Sequence, residues 1–143
     1  MQARQAQIDG DYEAALRGYR GAVVKIGCST GFVPSRLWFE VGVCERAVGA
    51  HEKAVDAFER AIEANTLHQE SVVWLARLGM ARALEDLGLH KEADAALEPC
   101  INELSSKAAD SENVNWKLER LAVTQDWLRK CRAKEKSTTG VSR

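Results

Sequence analysis

WFEVGVCERAVGAHEKAVDAFERA, residues 38–61, divides at Gly49 into two segments. After the glycine, Ala54, Ala57, Phe58, Ala61 and Ile62 stand 5, 8, 9, 12 and 13 residues on, which is the stripe of an amphipathic helix. Before it, Leu37, Val41, Cys44 and Val48 share one helical face, and Pro34 suits the first turn of that helix. Glycine at the joint can take the positive φ that closes one helix and turns the chain into the next. The stretch reads as helix, tight turn, helix.

The same reading recurs along the chain. Gly10, Gly49 and Gly88 are spaced by 39 residues. The residues behind them agree in type as Tyr12/His51/His90, Ala15/Ala54/Ala93, Gly18/Ala57/Ala96, Tyr19/Phe58/Leu97, Ala22/Ala61/Cys100 and Val23/Ile62/Ile101. Small residues in these columns let a neighbouring helix approach closely, and the aromatic or leucine fills the space between. Val73, Met80, Leu84 and Leu87 mark the helix before the third glycine. Each helix pair leaves an apolar face that is covered only when the next pair stacks on it.

These residues resemble the tetratricopeptide repeat, whose pattern runs W-x2-L-G-x2-Y through a central glycine to A-x3-F-x2-A. Trp38, Val41, Gly42, Gly49, Ala54, Phe58 and Ala61 stand at that spacing. Gly10, Ala15, Tyr19 and Ala22 match half of one unit; Ala81, Gly88, Ala93, Leu97 and Cys100 match most of another. The likeness spans residues 1–105. It implies an all-α, right-handed α-solenoid of stacked antiparallel helix pairs with a C-terminal capping helix. Residues 1–109 then form about three repeats, the first truncated, 110–135 the capping helix and 136–143 a flexible tail.

Some residues depart from the pattern. Glu45 stands where it has Tyr, Thr66 replaces the closing Pro, and Trp74 lies three places early. A period of 39 exceeds the family's usual span of about 34, so helices or loops must be longer, and GCSTGFV at 27–33 reads as such a loop. Pro99 falls inside a helix, where it removes a hydrogen bond and bends the axis. Only nine residues precede Gly10, enough for two turns, which favours a fragment of a longer chain over a solenoid that starts short. Asp110 as N-cap and Glu112 in the first turn open a helix that runs to about Lys134, with Val114, Leu118, Leu121, Gln125 and Leu128 on one face and Trp116, Val123 and Trp127 beside them. Its tryptophans are expected to pack on the last repeat.

Composition excludes several functions. Twenty basic against 21 acidic side chains give a formal charge of −1, too balanced to draw nucleic acid. Cys28, Cys44, Cys100 and Cys131 are scattered, without metal-ligand spacing, and read as buried reduced thiols of a cytoplasmic protein. MQARQAQIDG has no apolar signal core, and no run approaches the roughly 20 apolar residues of a membrane span. No nucleophile with its base, phosphate loop or metal cluster appears. His51 and His90 share a packing column, and His68 reads as a surface residue or cap. Neither catalysis, cofactor nor metal is expected.

A binding surface remains. In the family the first helix of each unit lines a concave groove. By that register the groove holds Arg4 and Gln7; Arg36, Phe39, Val43 and Arg46; and Leu75, Leu78, Arg82 and Glu85. An apolar strip of Phe39 and Leu78 bordered by arginines suits an amphipathic or acidic peptide or helix of a protein partner, although both residues could equally serve packing. The clamp by which chaperone-binding members hold a terminal carboxylate is not reproduced, since its positions carry Arg4, Glu40, Leu75 and Gly79. The expected function is a scaffold or adaptor. The alternatives are an assembly segment that self-associates through open ends, and a non-catalytic regulatory domain of a larger enzyme.

Overall fold

A computed structural model describes residues 2–64, 70–106 and 114–141. Among the described residues the protein is all-helical, with no strand. The helices are α1 (Gln2–Ile8), α2 (Tyr12–Thr30), α3 (Ser35–Ala47), α4 (His51–Glu63), α5 (Glu70–Asp86), α6 (His90–Ser106) and α7 (Val114–Val141). Each of α1 to α5 packs on the helix that follows it, α3 also meets α5, and α7 rests on both α5 and α6.

The three glycine turns are built alike. Gly10, Gly49 and Gly88 have φ of 83°, 87° and 79°. Each donates its N–H to the carbonyl three residues back, Gln7, Arg46 and Glu85, at 3.1, 3.1 and 2.9 Å. The next residue, Asp11, Ala50 or Leu89, donates to the carbonyl five back at 2.8, 2.8 and 2.9 Å. This is the glycine-terminated cap that satisfies the last carbonyls of a helix while reversing the chain. Beyond each turn Ala15, Ala54 and Ala93 are all fully buried.

In the interior, Phe58 is enclosed by α3 and α5. A Cβ on Gly42 would lie 2.7 Å from its ring, and one on Gly79 2.6 Å. Hydrogen at these two positions is what lets the helices close on the ring. Burying such a ring is worth about 1.5–3 kcal/mol. At the N-terminal end α1 meets α2 through small residues, with Ala3 against Gly18.

The structure revises several expectations. GCSTGFV is not wholly a loop: α2 continues through Thr30, whose hydroxyl donates to the Ile26 carbonyl at 2.9 Å, and Gly31, with φ 72°, ends the helix. Pro34 precedes α3 as its N-cap residue instead of entering the first turn. Pro99 does lie inside α6, as the sequence places it, and sits on the exposed side of the helix. The buried stripe of α7 is Leu121, Thr124 and Leu128, whereas Leu118 is 48% exposed and Gln125 faces solvent. Thr124 belongs to the stripe because its hydroxyl bonds the Arg120 carbonyl at 2.9 Å, leaving its methyl to pack. Helix α7 continues beyond Lys134 to Val141, so the expected tail from Lys136 is helical up to that residue. Thr66, His68, Asp110 and Glu112 lie outside the described residues.

Cys44 and Cys100 are buried, but Cys131 is half-buried and Cys28 exposed; all four are free thiols. Among the described residues no helix is long and apolar enough to cross a membrane.

Candidate functional site

The A-helix residues named from the sequence do not form one surface. Phe39, Val43 and Arg46 on α3 and Leu75, Leu78 and Arg82 on α5 converge on a cleft of about 640 Å3. Its remaining wall is α7, through Glu119, Arg120, Ala122, Val123 and Thr124, and Phe58 and Gly79 form part of its base. Phe39 and Leu78 serve packing as well. The Phe39 ring lies 5.9 Å from that of Phe58, and Leu78 belongs to the core around Trp74.

The other four residues lie elsewhere. Arg4 and Arg36 line a second cleft of about 590 Å3 between α1, α2 and α3, with Ala22, Ile26 and Leu37. There Arg36 pairs with Glu40 at 3.3 Å. Gln7 accepts a hydrogen bond from the Tyr19 hydroxyl at 2.7 Å. Glu85 does not reach the groove: its side chain is 2% exposed and sits in an ionic cluster. Arg132 of α7 bonds it at 2.8 Å and Asp94 at 2.9 Å, and these two acceptors hold the guanidinium above its ordinary pKa.

His51 and His90 both stand beside carboxylates. His90 places Nδ1 2.6 Å from Glu85 and Nε2 2.9 Å from Glu135. His51 Nδ1 stands 3.3 Å from Asp86. Glu85, His90 and Glu135 are close enough together to hold a metal ion. A cation there would compete with the Arg132 guanidinium already seated on Glu85, so the group is better suited to an ion-pair network. Glu45, the residue that departs from the repeat pattern, is buried and paired with Arg20.

Electrostatically the first cleft is basic at one end. The guanidinium carbons of Arg46 and Arg82 lie 5.0 and 5.5 Å from the centroid of the Trp127 ring, within range for cation–π attraction. Arg46 is paired with Asp86 at 2.8 Å. Among the described residues Arg82 has only a long hydrogen bond to the Thr124 hydroxyl, 3.4 Å. Burial first, and then the guanidiniums of Arg46 and Arg120, pull its pKa below the ordinary value.

The sequence reading missed the α7 wall. Its signal was present, since Lys117, Leu121, Thr124, Leu128 and Cys131 follow a 4-3-4-3 spacing. Taking Thr124 as a core position turns residues 120, 123 and 127 toward the cleft. Compared with protein-family models, with curated proteins and with solved structures, the chain matches none of them.

Proposed function

We propose that the chain is a helical-repeat protein of the tetratricopeptide kind, a right-handed solenoid in which α1–α2, α3–α4 and α5–α6 are successive units and α7 covers one end. In this reading it is a non-catalytic scaffold or adaptor, working in the cytoplasm, that holds a peptide or helical segment of a protein partner against α3, α5 and α7. The three identical glycine turns support the repeat assignment. The observation that carries the binding role is the cleft itself, where half-buried Phe39, Val43 and Leu75 face an exposed wall residue, Val123, 59% accessible. Apolar side chains left open between three helices suit the helix-in-groove or extended-peptide modes of recognition.

The test is selection from a displayed random-peptide library with the intact protein and with Val123→Asp and Leu75→Ala variants of unchanged helicity. The wild type should enrich a consensus containing apolar residues that both variants fail to retain. Equal enrichment by all three proteins would remove the cleft from consideration.

A second reading, self-association, is supported by the other cleft. Helix α1 has seven residues and α2 nineteen, so α1 covers about 10 Å of a helix about 28 Å long. Beyond it Ala22, Ile26 and Leu37 line an apolar hollow. Light scattering over a dilution series decides this reading, because a species that stays monomeric at every concentration rules it out.

A further inference from the structure

We infer that the basic end of the α3–α5–α7 cleft is a subsite for an acidic side chain of the bound peptide, the carboxylate of Asp or Glu seated between Arg82 and Arg120 while a neighbouring apolar residue enters the space beside Val43 and Val123. The inference rests on the peptide-binding reading above and names the chemistry of its ligand.

Three observations lead to it. First, the cleft gathers Arg46, Arg82 and Arg120 against a single lining carboxylate, Glu119. Only Arg46 has an acidic partner: among the described residues Arg82 and Arg120 make no ion pair. Second, Arg82 is half-buried and sits in the field of two other guanidiniums that the nearby Asp86 carboxylate offsets only in part, the arrangement that an entering anion relieves. Third, its position is fixed in advance. Stacking on Trp127 and the Thr124 hydroxyl hold the guanidinium, so little side-chain freedom is lost when a carboxylate docks. A guanidinium fork matches a carboxylate in shape and can bind it through two parallel hydrogen bonds.

Charge complementarity selects the occupant. A lysine-bearing peptide would meet three like charges, and a neutral one would leave half-buried Arg82 with no carboxylate in direct contact among the described residues. An acidic residue one or two positions from a leucine or phenylalanine satisfies both halves of the cleft.

The probe is an array of octapeptides with blocked termini, each carrying one central Glu, Gln, phosphoserine or Lys among Leu, Phe and Ala in varied order, and binding is read by fluorescence anisotropy. With both ends blocked, a terminal carboxylate cannot substitute for the side chain. The Glu peptides should bind about tenfold tighter than their Gln counterparts. That preference, the ratio of Glu- to Gln-peptide affinity, should vanish in Arg82→Gln and shrink in Arg120→Gln. Arg120 is exposed, so its replacement leaves the core intact if the Arg82 variant fails to fold. Equal binding of Glu and Gln peptides, both weakened by Val123→Asp, overturns the subsite and leaves the cleft standing. Preference for phosphoserine over Glu assigns the arginines to a phosphate and overturns the carboxylate. Binding that no cleft variant alters, or none by any peptide, removes the subsite and the peptide-binding reading together.

Discussion

Around Phe58, helices α3 and α5 come close because Gly42 and Gly79 face the ring, and the one ion pair the described residues show between them, Arg46 with Asp86 at 2.8 Å, is partly exposed. Around Leu121 and Leu128, α7 is held against α5 and α6 by apolar contacts together with Arg132, which spans from Glu85 to Asp94, and by Trp116 edge-on to Trp74 at 5.6 Å. At the first junction side-chain size sets the helix spacing, and at the second a buried carboxylate of α5, Glu85, depends on a charged partner from α7. The two should therefore fail under different perturbations. Phe58→Ala tests the first, removing a fully buried ring from a site that glycines cannot refill. A loss of about 3–5 kcal/mol is expected in urea unfolding. A loss below 1 kcal/mol would mean that the two helices collapse onto the gap and the ring is not what spaces them.

The second junction should respond to charge. Arg132→Met strands Glu85, whose side chain is 2% exposed, with His90 as its remaining close neighbour. Breaking a wholly buried pair costs about 3–5 kcal/mol, and because Arg132 is 31% exposed the expected loss is nearer 2 kcal/mol. Adding Glu85→Leu should recover much of it, since an apolar residue leaves no uncompensated charge. If the double variant is as unstable as the single, the guanidinium contributes by packing and the contrast with the Phe58 site weakens.

This contrast also explains what could be read from the sequence. Size recurs: the columns through Ala54, Phe58 and Ala61 mark helix faces, and the glycine column marks turns, because a repeated fold needs the same volumes at the same places. The boundaries of α2 and α7 were misplaced for local reasons. A Thr30 hydroxyl and the Gly31 cap extend α2, and neither lies in a repeat column. Of the candidate groove, Phe39, Val43, Leu75, Leu78, Arg46 and Arg82 line one cleft, since packing register carries them. Arg4 and Arg36 went to the other cleft because α1 is short, and Glu85 went inward because Arg132, 47 residues away, draws it into an ion pair. No periodic signal encodes a partner of that kind.

A smaller change sharpens the description of the Phe58 site. Gly79→Ala would bring a methyl within 2.6 Å of a ring that is 1% exposed and has no room to swing aside. Overpacking of this kind costs about 1–3 kcal/mol. Combining it with Phe58→Leu should cost less than the sum of the two single losses, because the smaller side chain yields the space. Strict additivity in that double-mutant cycle would show that the glycine is needed for its backbone and not for its contact.

The mildest perturbation compares the two junctions within one molecule. Cys44 lies in the core shared by α2, α3 and α4, and Cys100 in the core covered by α7. Burial pushes both thiols up to about 11, so alkylation near neutral pH requires local opening, and the two rates report the α2–α3–α4 core and the α7-covered core separately. Exposed Cys28 reacts first in any condition and is replaced by Ser for this measurement. At about 1 M salt, where the screening length falls to about 3 Å, the half-exposed Arg132 contacts weaken while the interior ring contacts do not. Cys100 labelling should quicken by about threefold, the effect of losing several tenths of a kcal/mol of exposed ion pairing, and Cys44 should keep its rate. An equal response at both cysteines would mean that α7 and the α2–α3–α4 core open as one cooperative unit, and that the ionic network does not act on α7 alone.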